Sequence, residues 1–152
     1  MTNEQIATLM ADLGPVLEPL AIHASDEDAG WAILMDEDLI VAVDIDEQKR
    51  SLVLSSELGE PPSGDRSALY ETLLQMNYHW NVTGGTRMAI DGPAGKVVQV
   101  FETPADALNA VNLSEIISAF ADTARAWRLV VQGSASAPGA ALEPGVYLGI
   151  RI

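Results

Sequence analysis

The chain has 152 residues, no cysteine, and 22 acidic side chains against 8 basic ones, a formal charge of −14. That length suits one domain with a real core, and the lack of cysteine excludes disulfides, thiolate metal sites and cysteine catalysis. Nucleic acid and anionic membrane surfaces both need clustered Lys and Arg, so neither is an expected partner. Met1 leads into polar residues, without the basic and apolar regions of a signal peptide. Thr2 and Gln5 have capping-box spacing, and Ile6, Leu9, Met10 and Leu13 follow at helical spacing. This is a short amphipathic first helix, and Gly14-Pro15 is expected to stop it.

Three strand-like runs come next: Trp31–Met35, Leu39–Ile45 and Leu52–Leu58. The links between them are short and polar, which predicts an antiparallel meander. The longest apolar run, Leu39–Val43, spans five residues, far below the ~20 of a membrane helix. After the Pro61-Pro62 loop, Asp65 can cap a second helix. Leu69, Tyr70, Leu73, Leu74 and Tyr78 share its apolar face, and Thr83-Gly84-Gly85 ends it. Arg87–Asp91 and Lys96–Glu102 read as a hairpin around Asp91-Gly92-Pro93-Ala94-Gly95. Asn112 and Glu115, again at capping-box spacing, open a long helix with Leu113, Ile116, Ile117, Phe120, Ala124, Trp127 and Val131 on one face. Residues 134–152 form a linker rich in Ala, Ser, Pro and Gly, then the alternating segment Val146–Ile152. The order α-β-β-β-α-β-β-α makes an α+β fold over residues 1–133, with an antiparallel sheet flanked by helices.

No catalytic constellation emerges. Asp44, Asp46 and Glu47 lack the glycine and the distal glutamate of a calcium loop. Gly92-Pro93-Ala94-Gly95-Lys96 has too few residues between its glycines for a P-loop and leads into a strand. His23 and His79 have no second histidine at ligand spacing. No catalytic residue, metal site or cofactor is therefore assigned. Charge is uneven: residues 1–60 hold 14 acids and 2 bases, residues 61–152 hold 8 acids and 6 bases. Such an acidic surface fits either plain solubility or a basic or uncharged protein partner.

Three stretches carry a resemblance. They are Leu73-Leu74-Gln75-Met76-Asn77-Tyr78-His79-Trp80-Asn81-Val82-Thr83-Gly84-Gly85; Met88-Ala89-Ile90-Asp91 followed by Gly95-Lys96-Val97-Val98; and Leu113 to Arg128, closing on Ala126-Trp127-Arg128. In this order the chain resembles the class I type III secretion chaperones, the Tir-chaperone (CesT-like) family, over about residues 3–133. The resemblance implies a small, acidic, cytoplasmic homodimer that uses no nucleotide. It implies a partner too: the N-terminal region of a secreted effector, kept soluble and secretion-competent. By the same likeness, the first helix and the sheet take the effector, assigned to Ile6, Leu9, Met10, Leu13, Leu34, Val41 and Val43. The second helix and the strand after it make the dimer, assigned to Leu69, Leu73, Met76, Trp80 and Met88. Trp80 and Trp127 are otherwise assigned to packing. The alternative on the same fold is a non-secretory adaptor or regulator, as in the YbjN-like proteins.

Overall fold

A computed structural model describes residues 2–25, 30–64, 66–93 and 95–134. Asp65, Ala94 and the strand-like Val146–Ile152 lie outside them, and with them the expected cap and the tail. The elements run α1 (Asn3–Leu17), β1 (Ala21–Ala24), β2 (Gly30–Leu34), β3 (Ile40–Asp46), β4 (Ser51–Gly59), α2 (Ser67–Tyr78), α3 (Trp80–Thr83), β5 (Arg87–Asp91), β6 (Lys96–Pro104) and α4 (Ala110–Val131). The expected order holds, with one short strand, β1, added before the meander and one helical turn, α3, added after α2.

The strands form a six-stranded sheet in the order β1-β2-β3-β4-β6-β5. The β1–β2, β2–β3, β3–β4 and β5–β6 pairs are antiparallel. The first four strands are a meander, as the short polar links predict. The last two are the expected hairpin, closing on Asp91 opposite Lys96.

Contacts cluster into two compact units, each drawn from two stretches of chain. One comprises Met1–Ser55 and Glu102–Ala121; the other comprises Ser56–Phe101 and Asp122–Ile152. β4, β6 and α4 contribute residues to both. In the first unit the buried apolar residues are Ile6, Leu9, Met10 and Leu13 of α1, Ile33, Val41, Val43, Leu52 and Leu54 of the sheet, Leu39 and Ala105 beside it in sequence, and Leu113, Ile116, Ile117, Phe120 and Ala121 of α4. In the second unit they are Leu58, Leu73, Met88, Val97, Phe101, Ala124, Trp127 and Val131. The seven apolar residues predicted for the long helix are all buried, which is what a 3.6-residue period on one face requires.

Helix ends explain most of the departures from expectation. α1 begins at its capping box: the Gln5 N–H donates to Thr2 Oγ1 at 3.3 Å and the Thr2 N–H donates to Gln5 Oε1 at 2.8 Å. It does not stop at Gly14-Pro15 but runs to Leu17 with Pro15 inside it. Proline forfeits one hydrogen bond there, while the Glu18 N–H still reaches the Gly14 carbonyl at 3.0 Å, with Glu18 at φ 51° as a left-handed cap. α4 starts before the expected Asn112–Glu115 pair. Its cap is Asn109, whose Oδ1 accepts from the Asn112 N–H at 2.9 Å, and the Leu113 N–H bonds the Asn109 carbonyl. α3 closes at Gly84, φ 62°, a conformation that costs glycine nothing. Thr83-Gly84-Gly85 is therefore the turn that leads into β5.

A small polar cluster ties the β3–β4 turn to β6 inside the first unit. Ser51 Oγ donates to Glu102 Oε1 at 2.8 Å and Lys49 Nζ donates to Glu102 Oε2 at 3.3 Å. The Asp46 carboxylate caps the turn, accepting from the Lys49 N–H at 3.0 Å. The Ser51 hydrogen bond, then the lysine, hold the Glu102 carboxyl below its ordinary value of 4.5. A depressed carboxyl stabilises the fold fully above its unfolded value and loses that contribution as pH falls through the folded one. Glu102→Gln should thus lower the urea midpoint by a constant amount above about pH 4.5, with the gap to the parent closing below it. A gap independent of pH would show that Glu102 is not held in this way.

Candidate functional site

The register sorts the sheet residues of the first unit into two faces. Ile33 lies opposite Val41, and both are buried, as are Val43 and its partner Leu54. On the other face Ala21, Leu34 and Ile40 form one cross-strand row, and His23, Ala32, Ala42 and Ser55 form the next. Ile40 is exposed, and Leu34, Ala32, Ala42 and Val53 are half-buried. The second face thus combines Ala21, Ala32, Leu34, Ile40, Ala42 and Val53 with the polar His23, Asp44 and Ser55, and it is partly exposed. Leu20, just before β1, is 63% exposed beside it in sequence.

The residues expected to meet an effector fall on both faces. Leu34 lies on the open one. Ile6, Leu9, Met10, Leu13, Val41 and Val43 are buried in the first unit's own core, where they hold α1 and the sheet and present no surface in this conformation. β1 is the terminal strand, paired on one side with β2. An edge of this kind accepts an extended segment through backbone hydrogen bonds.

The second unit carries a different surface. Leu74, Tyr78, Trp80 and Ile90 are all exposed. Ser67, Tyr70, Glu71, Leu74, Gln75, Tyr78 and His79 line a shallow groove along one side of α2, with the Tyr78 and His79 rings edge to face at 5.4 Å. Of the residues expected at a dimer seam, Leu73 and Met88 are buried within the unit, Leu69 and Met76 are half-buried, and Trp80 is exposed. Trp127 packs in the core as expected, whereas Trp80 stands in solvent. The exposed side of α2 carries Leu74 and Tyr78. The sequence puts Leu69, Tyr70, Leu73, Leu74 and Tyr78 on one apolar face; the structure buries Leu73 and exposes Leu74 and Tyr78, because α2 is apolar on more than one side. Residues 67–90 contain one acid, Glu71, and one base, Arg87, so this surface is nearly neutral in a strongly acidic chain.

The Asn77 side chain fastens α2 to β5. The Met88 N–H donates to Asn77 Oδ1 at 2.8 Å, and Asn77 Nδ2 donates to the Met88 carbonyl at 2.9 Å. At the hairpin, Lys96 Nζ meets Glu57 Oε2 at 2.9 Å. Among the described residues no cluster of three His, Asp or Glu side chains fits a metal ion, and no helix is long and apolar enough to cross a membrane.

A family model for the Tir chaperone protein (CesT) family matches residues 21–128. No curated protein matches in sequence. Several solved structures share the fold, among them the following three. A chain of the HopA1–SchA chaperone–effector complex is 19% identical, covers 83% of this chain and 94% of its own, and has a TM-score of 0.67. A chain of the ExsC–ExsE complex is 19% identical over 88% of this chain and 98% of its own, TM-score 0.70. A chain of the heterodimeric ExoU–SpcU complex, from the type III secretion system of Pseudomonas aeruginosa, is 20% identical over 84% and 98%, TM-score 0.60.

Proposed function

Because this chain belongs to the Tir chaperone protein (CesT) family, we propose that it is an ATP-independent, homodimeric chaperone for a type III secreted effector. It binds the effector's N-terminal region in the cytoplasm and keeps it soluble and secretion-competent. The work is binding, not catalysis. The observation that carries this reading is the terminal strand β1 beside a partly exposed, largely apolar sheet face. An extended client segment gains main-chain hydrogen bonds at that edge, and alternate side chains lie against Leu34, Ile40 and Leu20. Two of the structures that share the fold, one a chaperone–effector complex and one a heterodimer from a type III secretion system, support the idea of a client.

The dimer is proposed to form through the exposed side of α2, with Trp80. Two chains of formal charge −14 repel one another, and the contact that costs least is the neutral one. Burying Leu74 and Tyr78 against a second copy also removes the largest exposed apolar side chains of α2 from water.

Affinity capture from the native host, followed by mass spectrometry and light scattering, tests this reading. The expected result is a dimer carrying one copy of a larger protein, with that protein's N-terminal segment protected from protease by the complex. Recovery of a free dimer with no such client would move the reading to an adaptor or regulator of the same fold.

A further inference from the structure

The sheet ends on two strands, β1 and β5, and their edges are not equivalent. Backbone groups of successive residues in a strand point to alternate sides. β5 is paired with β6 on one side, with Met88 opposite Gln99. The Met88 N–H and carbonyl do not serve that pairing; both bond the Asn77 carboxamide. Met88 and Ile90 therefore turn their backbone groups to the outer edge, and Arg87, Ala89 and Asp91 turn theirs toward β6.

A primary carboxamide offers one carbonyl and one N–H in the arrangement of a peptide group. At Met88 it reproduces the two-bond exchange that a residue on a neighbouring antiparallel strand makes. We propose that Asn77 is an edge guard: it occupies the outer edge of β5 in place of a strand, closes that edge to strand addition, and leaves β1 as the edge at which an extended segment pairs. The outward pair at Ile90 is left over, and a single residue is too short to seat a strand. The need for a guard follows from the setting. β5 adjoins the nearly neutral, apolar surface of α2, where copies of the chain meet most readily, and an open edge there would let sheets join without limit. The consequence for a client rests on the chaperone reading above, but the guard itself does not, and its test uses no client.

Asn77→Leu keeps the side-chain volume and removes both hydrogen bonds. Light scattering between about 10 µM and 1 mM should show the variant growing to at least about twice the parent's mass at the upper end. Adding Ile90→Pro removes the other outward N–H of β5, a change an edge strand tolerates, and should return the mass to that of the parent. A variant that was merely destabilised would not be cured by a second substitution. An Asn77→Leu chain that stays at the parent's mass overturns the proposal, as does growth that persists in the double variant. Should Asn77→Leu fail to fold, amide exchange in the parent protein decides. The Met88 amide, held by Asn77, should exchange at least about tenfold more slowly than the Ile90 amide, and equal rates would overturn the guard.

Discussion

Leu74→Glu with Tyr78→Glu is expected to turn the proposed dimer into a monomer. In sedimentation or light scattering the variant should run at 16.2 kDa, where the proposed dimer of the parent runs at twice that mass. Both side chains are largely exposed in the single chain, 69% and 81%, so the substitutions touch little of the protomer's own packing, and surface changes of this sort stay within about 0.5 kcal/mol of neutral. The circular dichroism and melting of the protomer should therefore survive. At a two-fold interface each substitution counts twice. Burying unpaired carboxylates in place of apolar contacts costs roughly 2–3 kcal/mol per copy, so the dimer should weaken by about a thousandfold or more. A variant that stays dimeric would remove this side of α2 from the seam. Leu73→Glu would be a poor substitute, because Leu73 is only 4% exposed and its loss would unfold the second unit whether or not a dimer existed.

Trp127→Ala produces the largest loss of stability. Trp127 is 2% exposed and is the largest fully buried side chain of the molecule. It sits on α4, in the stretch that supplies the second unit, among Leu58, Val97 and Phe101 in that unit's buried set. Truncating a buried tryptophan leaves a cavity that close-packed neighbours only partly fill, at a cost of about 3–5 kcal/mol. At roughly 2–4 °C per kcal/mol for a chain of this size, the melting temperature should fall by about 6–20 °C. Against a total stability of about 5–15 kcal/mol, that leaves little margin at 37 °C. Urea unfolding monitored at Trp31 and Trp80 checks the value, and a loss below about 1 kcal/mol would show that α4 is not the keystone of that unit.

What the sequence revealed depended on whether one face of an element was polar. α4 is apolar on one side and largely polar on the other, so its period named seven of the buried residues from Leu113 to Val131 and passed over Ser114 and Ala121. The β5–β6 hairpin was legible because Asp91-Gly92-Pro93 can only turn. By contrast, α2 carries Leu69 and Leu73 on one side and Leu74 and Tyr78 on another, and β3 carries Val41 and Val43 opposite Ile40 and Ala42. Periodicity cannot rank two apolar faces; packing does, and it buried Leu73, Val41 and Val43 while leaving Leu74, Tyr78 and Ile40 in solvent. The expected effector residues of α1 fell to the same ambiguity, since a helix with one apolar stripe uses it first to dock on its own sheet. β1 escaped notice because its four residues, Ala21–Ala24, are too few to show alternation. Asn109 was hidden behind Asn112, which offers the same cap chemistry three residues later. The guard at Asn77 was not legible as one: the asparagine lies inside the stretch Leu73–Gly85 that carries the resemblance, and its edge role needs β5 beside it.

The first unit draws on two distant stretches, ending at Ser55 and resuming at Glu102, and this matters while the chain is being made. A ribosome adding roughly 5–20 residues per second needs several seconds to cross that gap. During that time Ile6, Leu13, Val41 and Val43 have left the ribosome without Leu113, Ile117 and Phe120, which complete their core. The newborn N-terminal half is thus itself an apolar chain awaiting cover. Its 14 acids against 2 bases repel neighbouring copies on the same polysome over that interval. The charge that looks like surplus on the finished protein is solubility supplied in advance, to a chain that must protect itself before it can protect another.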